Sequence, residues 1–69
     1  MSNHLAEIRQ RKGLTQKALA LATGISITFL QQIEYGQTKP NIYIAQRLAT
    51  ILGVDVNEIF PPRPIQGTA

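Results

Sequence analysis

The stretch Gln16-Lys17-Ala18-Leu19-Ala20-Leu21-Ala22-Thr23-Gly24-Ile25-Ser26-Ile27-Thr28-Phe29-Leu30-Gln31-Gln32-Ile33 decides the fold. Two helical patterns meet inside it at one glycine. Helix two opens at Thr15, a capping hydroxyl, carries Ala18, Leu19 and Ala22 at helical spacing, and stops at Gly24. Helix three opens only two residues later at Ser26, buries Leu30 and Ile33, and stops at Gly36. A connection that short forces a sharp turn. Ala20, four residues before the glycine, lets the second helix come close, and Gly24 accepts a left-handed backbone that costs other residues about 1 kcal/mol or more. Leu19, Ile25, Leu30 and Ile33 fill the angle between the helices. This is the helix-turn-helix pattern, whose second helix can project into the major groove of DNA; the same offsets also serve an ordinary αα-corner.

Working outward, the remaining sequence reads as further helices. Helix one is expected from Ser2 or Asn3, either able to cap it, to about Lys12, with Leu5 and Ile8 inward and Gly13 as its stop. Asn41 caps helix four, whose apolar face is Ile42, Ala45, Leu48, Ala49 and Leu52, closed by Gly53. Asp55-Val56-Asn57-Glu58 is a capping box that starts a short fifth helix; Ile59 and Phe60 pack inward before Pro61-Pro62 forbids continuation. The expected architecture is all-α, a five-helix domain over residues 1–60 followed by a proline-containing tail over residues 61–69.

Composition excludes several alternatives. In 69 residues there is no cysteine and one histidine, so disulfides are ruled out and a zinc site is not expected. No apolar run approaches the roughly 20 residues of a membrane span, and the start lacks a signal-peptide pattern, which suits a cytoplasmic protein without membrane contact. No Ser/His/Asp or Cys/His set, glycine-rich phosphate loop or closely paired carboxylates point to an enzyme, and no cofactor is implied. The net charge is +3, and Arg9, Arg11, Lys12, Lys17 and Lys39 face only Glu7 and Glu34 in the first 39 residues. That bias suits a polyanionic partner, and equally a set of solvated helix ends.

The residues Arg9, Gly13-Leu14-Thr15-Gln16, Leu19-Ala20, Gly24-Ile25-Ser26, Ile33-Glu34, Gly36, Pro40, Leu48-Ala49, Leu52-Gly53-Val54 and Glu58 resemble the lambda-repressor-like (XRE) family of transcriptional regulators, over about Leu5 to Phe60. The resemblance implies a five-helix DNA-binding domain whose members mostly bind (pseudo)palindromic operators as dimers. On the helical angle, Thr28, Gln32 and Tyr35 point nearly opposite Leu30, with Gln31 beside them and Ile27 at the first turn. Ile27, Thr28, Gln31 and Gln32 are thus the expected base-contacting face, and the resemblance implies base contacts at Ile27, Thr28 and Gln32. A glutamine can bond adenine N6 and N7, while Ile27 or the Thr28 methyl suits a thymine methyl, so an A/T-containing half-site is expected.

Phosphate contacts are expected from Gln16 at the first turn of helix two, from Ser26, and from Thr38 and Lys39, whose loop resembles the family's backbone-contacting segment; Lys17 and Tyr35 are further candidates. Arg11 and Lys12 read as a solubilising helix end. Glu34 lies on the inner side of helix three, and the resemblance makes Arg9 its partner in a structural ion pair. Leu21, Tyr43, Ile44 and Ile51 depart from the family, which more often has polar residues there. Tyr43, Ile44, Ile51 and Phe60 form a candidate dimer surface, with packing against helix five as the alternative. Phe29 is expected to pack and His4 to be a surface residue. The function expected is a sequence-specific double-stranded DNA-binding regulator, a homodimeric repressor; the alternative is an antitoxin or adaptor whose apolar surface grips a toxin-like protein.

Overall fold

A computed structural model describes residues 3–62. Among them are five α-helices and no strand: α1 (Leu5–Arg11), α2 (Gln16–Thr23), α3 (Ile27–Glu34), α4 (Ile42–Leu52) and α5 (Val56–Ile59). Leu5, Ile8, Leu19, Ala20, Leu30, Ile33, Leu48, Ala49, Leu52 and Ile59 make one core drawn from every helix. No helix of the described residues is long and apolar enough to cross a membrane.

The helix ends explain how a domain this small holds its shape. The side chains of Thr15, Ser26 and Asn41 accept the Ala18, Phe29 and Ile44 N–H groups at 3.0, 3.0 and 2.9 Å. Each satisfies a donor that its helix cannot pair internally. Asp55 and Glu58 form the reciprocal box at α5. Gly24 closes α2 at φ +83°, in the left-handed region, and the Ile25 N–H turns back to the Ala20 carbonyl at 3.0 Å. That bond ends α2 and lets α3 begin at Ile27, which fixes the bend.

Three expectations about packing are corrected. Helix α1 begins at Leu5, later than expected, and closes at Lys12 as expected; Asn3 binds ahead of it, its Oδ1 accepting the Leu5 N–H at 2.9 Å, while the other candidate cap, Ser2, and residues 63–69 of the tail lie outside the described residues. Ala18 and Ala22 are exposed, and the inward face of α2 is Leu19, Ala20 and Thr23. Thr23 can be buried because its hydroxyl donates to the Leu19 carbonyl at 2.7 Å. Ile42 is 61% exposed at the first turn of α4, so the inner face of that helix is Ala45, Leu48, Ala49 and Leu52. Phe29 is half-buried against the core and His4 is exposed, its Nδ1 2.7 Å from Glu7 Oε1.

Candidate nucleic-acid interface

Helix α3 is held by one side only. Leu30 and Ile33 are fully buried and Glu34 is 8% exposed, whereas Thr28 and Gln32 are exposed and Ile27 is 41% exposed. The outward face keeps the residues named from the helical angle, with one difference. Gln31 is half-buried, and its Nε2 donates to Gln16 Oε1 at 3.2 Å. It stands on the shoulder between the outward face and α2.

Helix α1, the start of α2 and the segment ahead of α1 position α3. From α1, the Arg9 guanidinium reaches across: Nε donates to Glu34 Oε2 at 2.6 Å, and Nη1 donates to the Leu14 carbonyl at 2.9 Å. Gln16, at the start of α2, donates Nε2 to Glu34 Oε1 at 2.9 Å. A buried carboxylate would cost several kcal/mol alone, and here a guanidinium and an amide compensate it. Asn3 donates Nδ2 to the Ile33 carbonyl at 2.9 Å, a second bond to an acceptor in the last turn of α3 that the Gly36 N–H also reaches, at 3.0 Å. Arg47 of α4 donates Nη1 to the Thr23 carbonyl at 3.3 Å, placing a cation at the C-terminal end of α2. Neither the Asn3 bond nor the Arg47 bond follows from a local sequence pattern, because both join residues far apart in the chain.

The candidate phosphate contacts are distributed as follows. Lys17, Ser26, Tyr35 and Lys39 are exposed, and Thr38 is half-buried. Gln16 is half-buried, with its amide engaged by Glu34 and Gln31, so it is less free than a residue at a helix start usually is. The first-turn N–H groups of Gln16 and Lys17 lack an intrahelical partner by geometry, and they sit at the positive end of α2. The candidate dimer surface is narrower than the sequence suggests. Tyr43 is 80% exposed, but Ile44, Ile51 and Phe60 are half-buried and pack against the core. An open cleft of about 620 Å³ lies beside it, lined in part by Ile42, Ala45, Val56 and Phe60. Among the described residues no three His, Cys, Asp or Glu side chains are grouped as a metal site needs.

The sequence matches the helix-turn-helix family model over residues 5–59. An uncharacterized HTH-type transcriptional regulator, YazB of Bacillus subtilis, is 41% identical over 54 residues, covering 78% of each chain. The HTH-type transcriptional regulator DdrOP3 of Deinococcus deserti is 36% identical over 60 residues, 87% of this chain but 46% of its own length. Among solved structures, the restriction-modification controller protein C.AhdI of Aeromonas hydrophila superposes with a TM-score of 0.77 at 33% identity, covering 83% of this chain and 86% of that one. The N-terminal DNA-binding domain of the biofilm regulator SinR of Bacillus subtilis gives 0.72 at 25% identity, over 91% and 93%.

Proposed function

The chain belongs to the lambda-repressor-like (XRE-type) helix-turn-helix family of DNA-binding transcriptional regulators, and we propose that it represses as a homodimer on a short (pseudo)palindromic operator. The observation that carries the reading is the one-sided burial of α3, with Thr28, Gln32 and Ile27 exposed on a helix whose inner side is locked. In the major groove, Gln32 pairs with an adenine edge and Ile27 or Thr28 packs on a thymine methyl. Ser26, Tyr35, Thr38, Lys39, Lys17 and the first turn of α2 hold the flanking phosphates and set the register. Gln16 serves this set through its remaining N–H and its backbone.

An eight-residue helix reads only a few base pairs. Two copies related by a two-fold axis double the contact, and half-sites about one DNA turn apart match that symmetry. Tyr43, with the exposed edges of Ile44, Ile51 and Phe60, is the surface proposed for pairing. Occupancy over a promoter is then sufficient to repress.

Selection of bound duplexes from a random pool tests the reading. The expected result is an inverted repeat with A/T-containing half-sites, bound by two chains per duplex in sedimentation. Equal retention of all duplexes at physiological salt would overturn sequence-specific binding, and a single half-site bound by one chain would overturn the dimer.

A further inference from the structure

Arg9, Glu34, Gln16 and Gln31 form one chain of hydrogen bonds running from the interior to the shoulder of α3, and chemistry fixes its direction. Arg9 can only donate, and it does so to both Glu34 oxygens, Nε to Oε2 at 2.6 Å and Nη2 to Oε1 at 3.4 Å. The Glu34 side chain, 2% exposed, is a carboxylate that only accepts. Gln16 must therefore turn its NH₂ end toward Glu34 Oε1, as it does at 2.9 Å; the opposite orientation would set a carbonyl against a carboxylate. Its own oxygen then faces Gln31, whose Nε2 donates to it at 3.2 Å. With the nitrogen of Gln31 engaged by Gln16, its oxygen is the end of the amide without a protein partner among the described residues.

We infer that Gln31 reads one base with a fixed polarity: it presents an acceptor, and so selects adenine N6 or cytosine N4 over thymine O4 or guanine O6. The inference rests on the proposed entry of α3 into the major groove. An unconstrained glutamine turns its amide over and offers either end to a base. Here that rotation breaks the bond to Gln16 and brings two oxygens together, so Gln16 is the positioning residue for Gln31. One acceptor separates amino from keto bases but does not by itself separate adenine from cytosine. Gln31 stands about 60° around the helix from Thr28, so its base is a neighbour of those read by the outward face.

The experiment compares three proteins, wild type, Gln31→Ala and Gln16→Leu, in selection from random duplexes, read position by position. One position of the wild-type half-site is expected to hold A or C on the contacted strand, by about 3- to 10-fold over G and T, the worth of one hydrogen bond. Gln31→Ala should flatten that position alone. Gln16→Leu should leave the position occupied by all four bases in more equal proportion, with the Gln32 position unchanged. As a check independent of the folding of either variant, an A-containing wild-type site in which purine lacking the N6 amino group replaces that adenine should bind wild type more weakly by the same factor. Preference for G or T at the position that Gln31→Ala flattens would overturn the inference. So would indifference of every position to Gln31→Ala, or a folded Gln16→Leu as strict as wild type. A wild-type protein that selects no sequence would instead overturn the proposed function, and this inference with it.

Discussion

Gln32 and Thr28 are exposed where Glu34, on the same helix, is locked. Gln32→Ala should cost about 1–3 kcal/mol on the selected site and relax preference at one position, measured by titration against the site and its single-base variants. Arg9 behaves in the opposite way. Its removal leaves a buried charge without its main partner, at about 3–5 kcal/mol, comparable with the roughly 3–5 kcal/mol that a single core of this size supplies. Arg9→Ala should therefore be largely unfolded at 25 °C by circular dichroism, while the double change Arg9→Met with Glu34→Leu keeps a cooperative melt. At this scale the sequence was informative about direction and less so about partners. The angle around α3 placed Thr28 and Gln32 outward, because helical spacing is a local property. The bonds from Asn3 to Ile33 and from Gln31 to Gln16 join separate elements, and no local pattern encodes them.

Among the elements, the bend between α2 and α3 depends on Gly24, whose φ of +83° only glycine adopts freely. A Cβ built there meets its nearest neighbour, Arg47 Nη1, at 3.7 Å, an ordinary contact, so the cost of a side chain is in the backbone. Gly24→Ala should lower stability by about 1–2 kcal/mol. Ser26→Ala should lower it by about 0.5–2 kcal/mol through the lost bond to Phe29 N–H. Chemical denaturation measures both, and the selected site should keep its sequence, since neither residue is proposed to read a base. Caps and glycines made the helix boundaries legible to within a residue or two. Burial within an element was harder to read. Alanine fits either side of a helix, so Ala18 and Ala22 carried little information about which way α2 faces, and Ile42 is exposed because it sits at the first turn of α4, ahead of the core.

For the molecule as a whole, the excess of cations in the first 39 residues has a measurable consequence. Affinity for DNA should fall linearly on a log–log plot against salt, and Lys39→Ala should reduce that slope by about 1 while weakening all sequences alike. Fluorescence anisotropy over a salt series measures it. The five-helix arrangement was legible because each cap and glycine marks a boundary; the narrowing of the apolar strip around Tyr43 was not, since it depends on how Ile44, Ile51 and Phe60 pack against a core drawn from other helices. One long-range contact has a further consequence. The His4 N–H donates to the Ile59 carbonyl at 2.9 Å, so two residues 55 positions apart are neighbours in space. Segments grafted before one and after the other would leave from a common pole. A short linker from residue 62 back to residue 3 should then close a ring that restricts the unfolded chain, and a melting transition moved upward by as much as about 4 kcal/mol of added stability would register that closure.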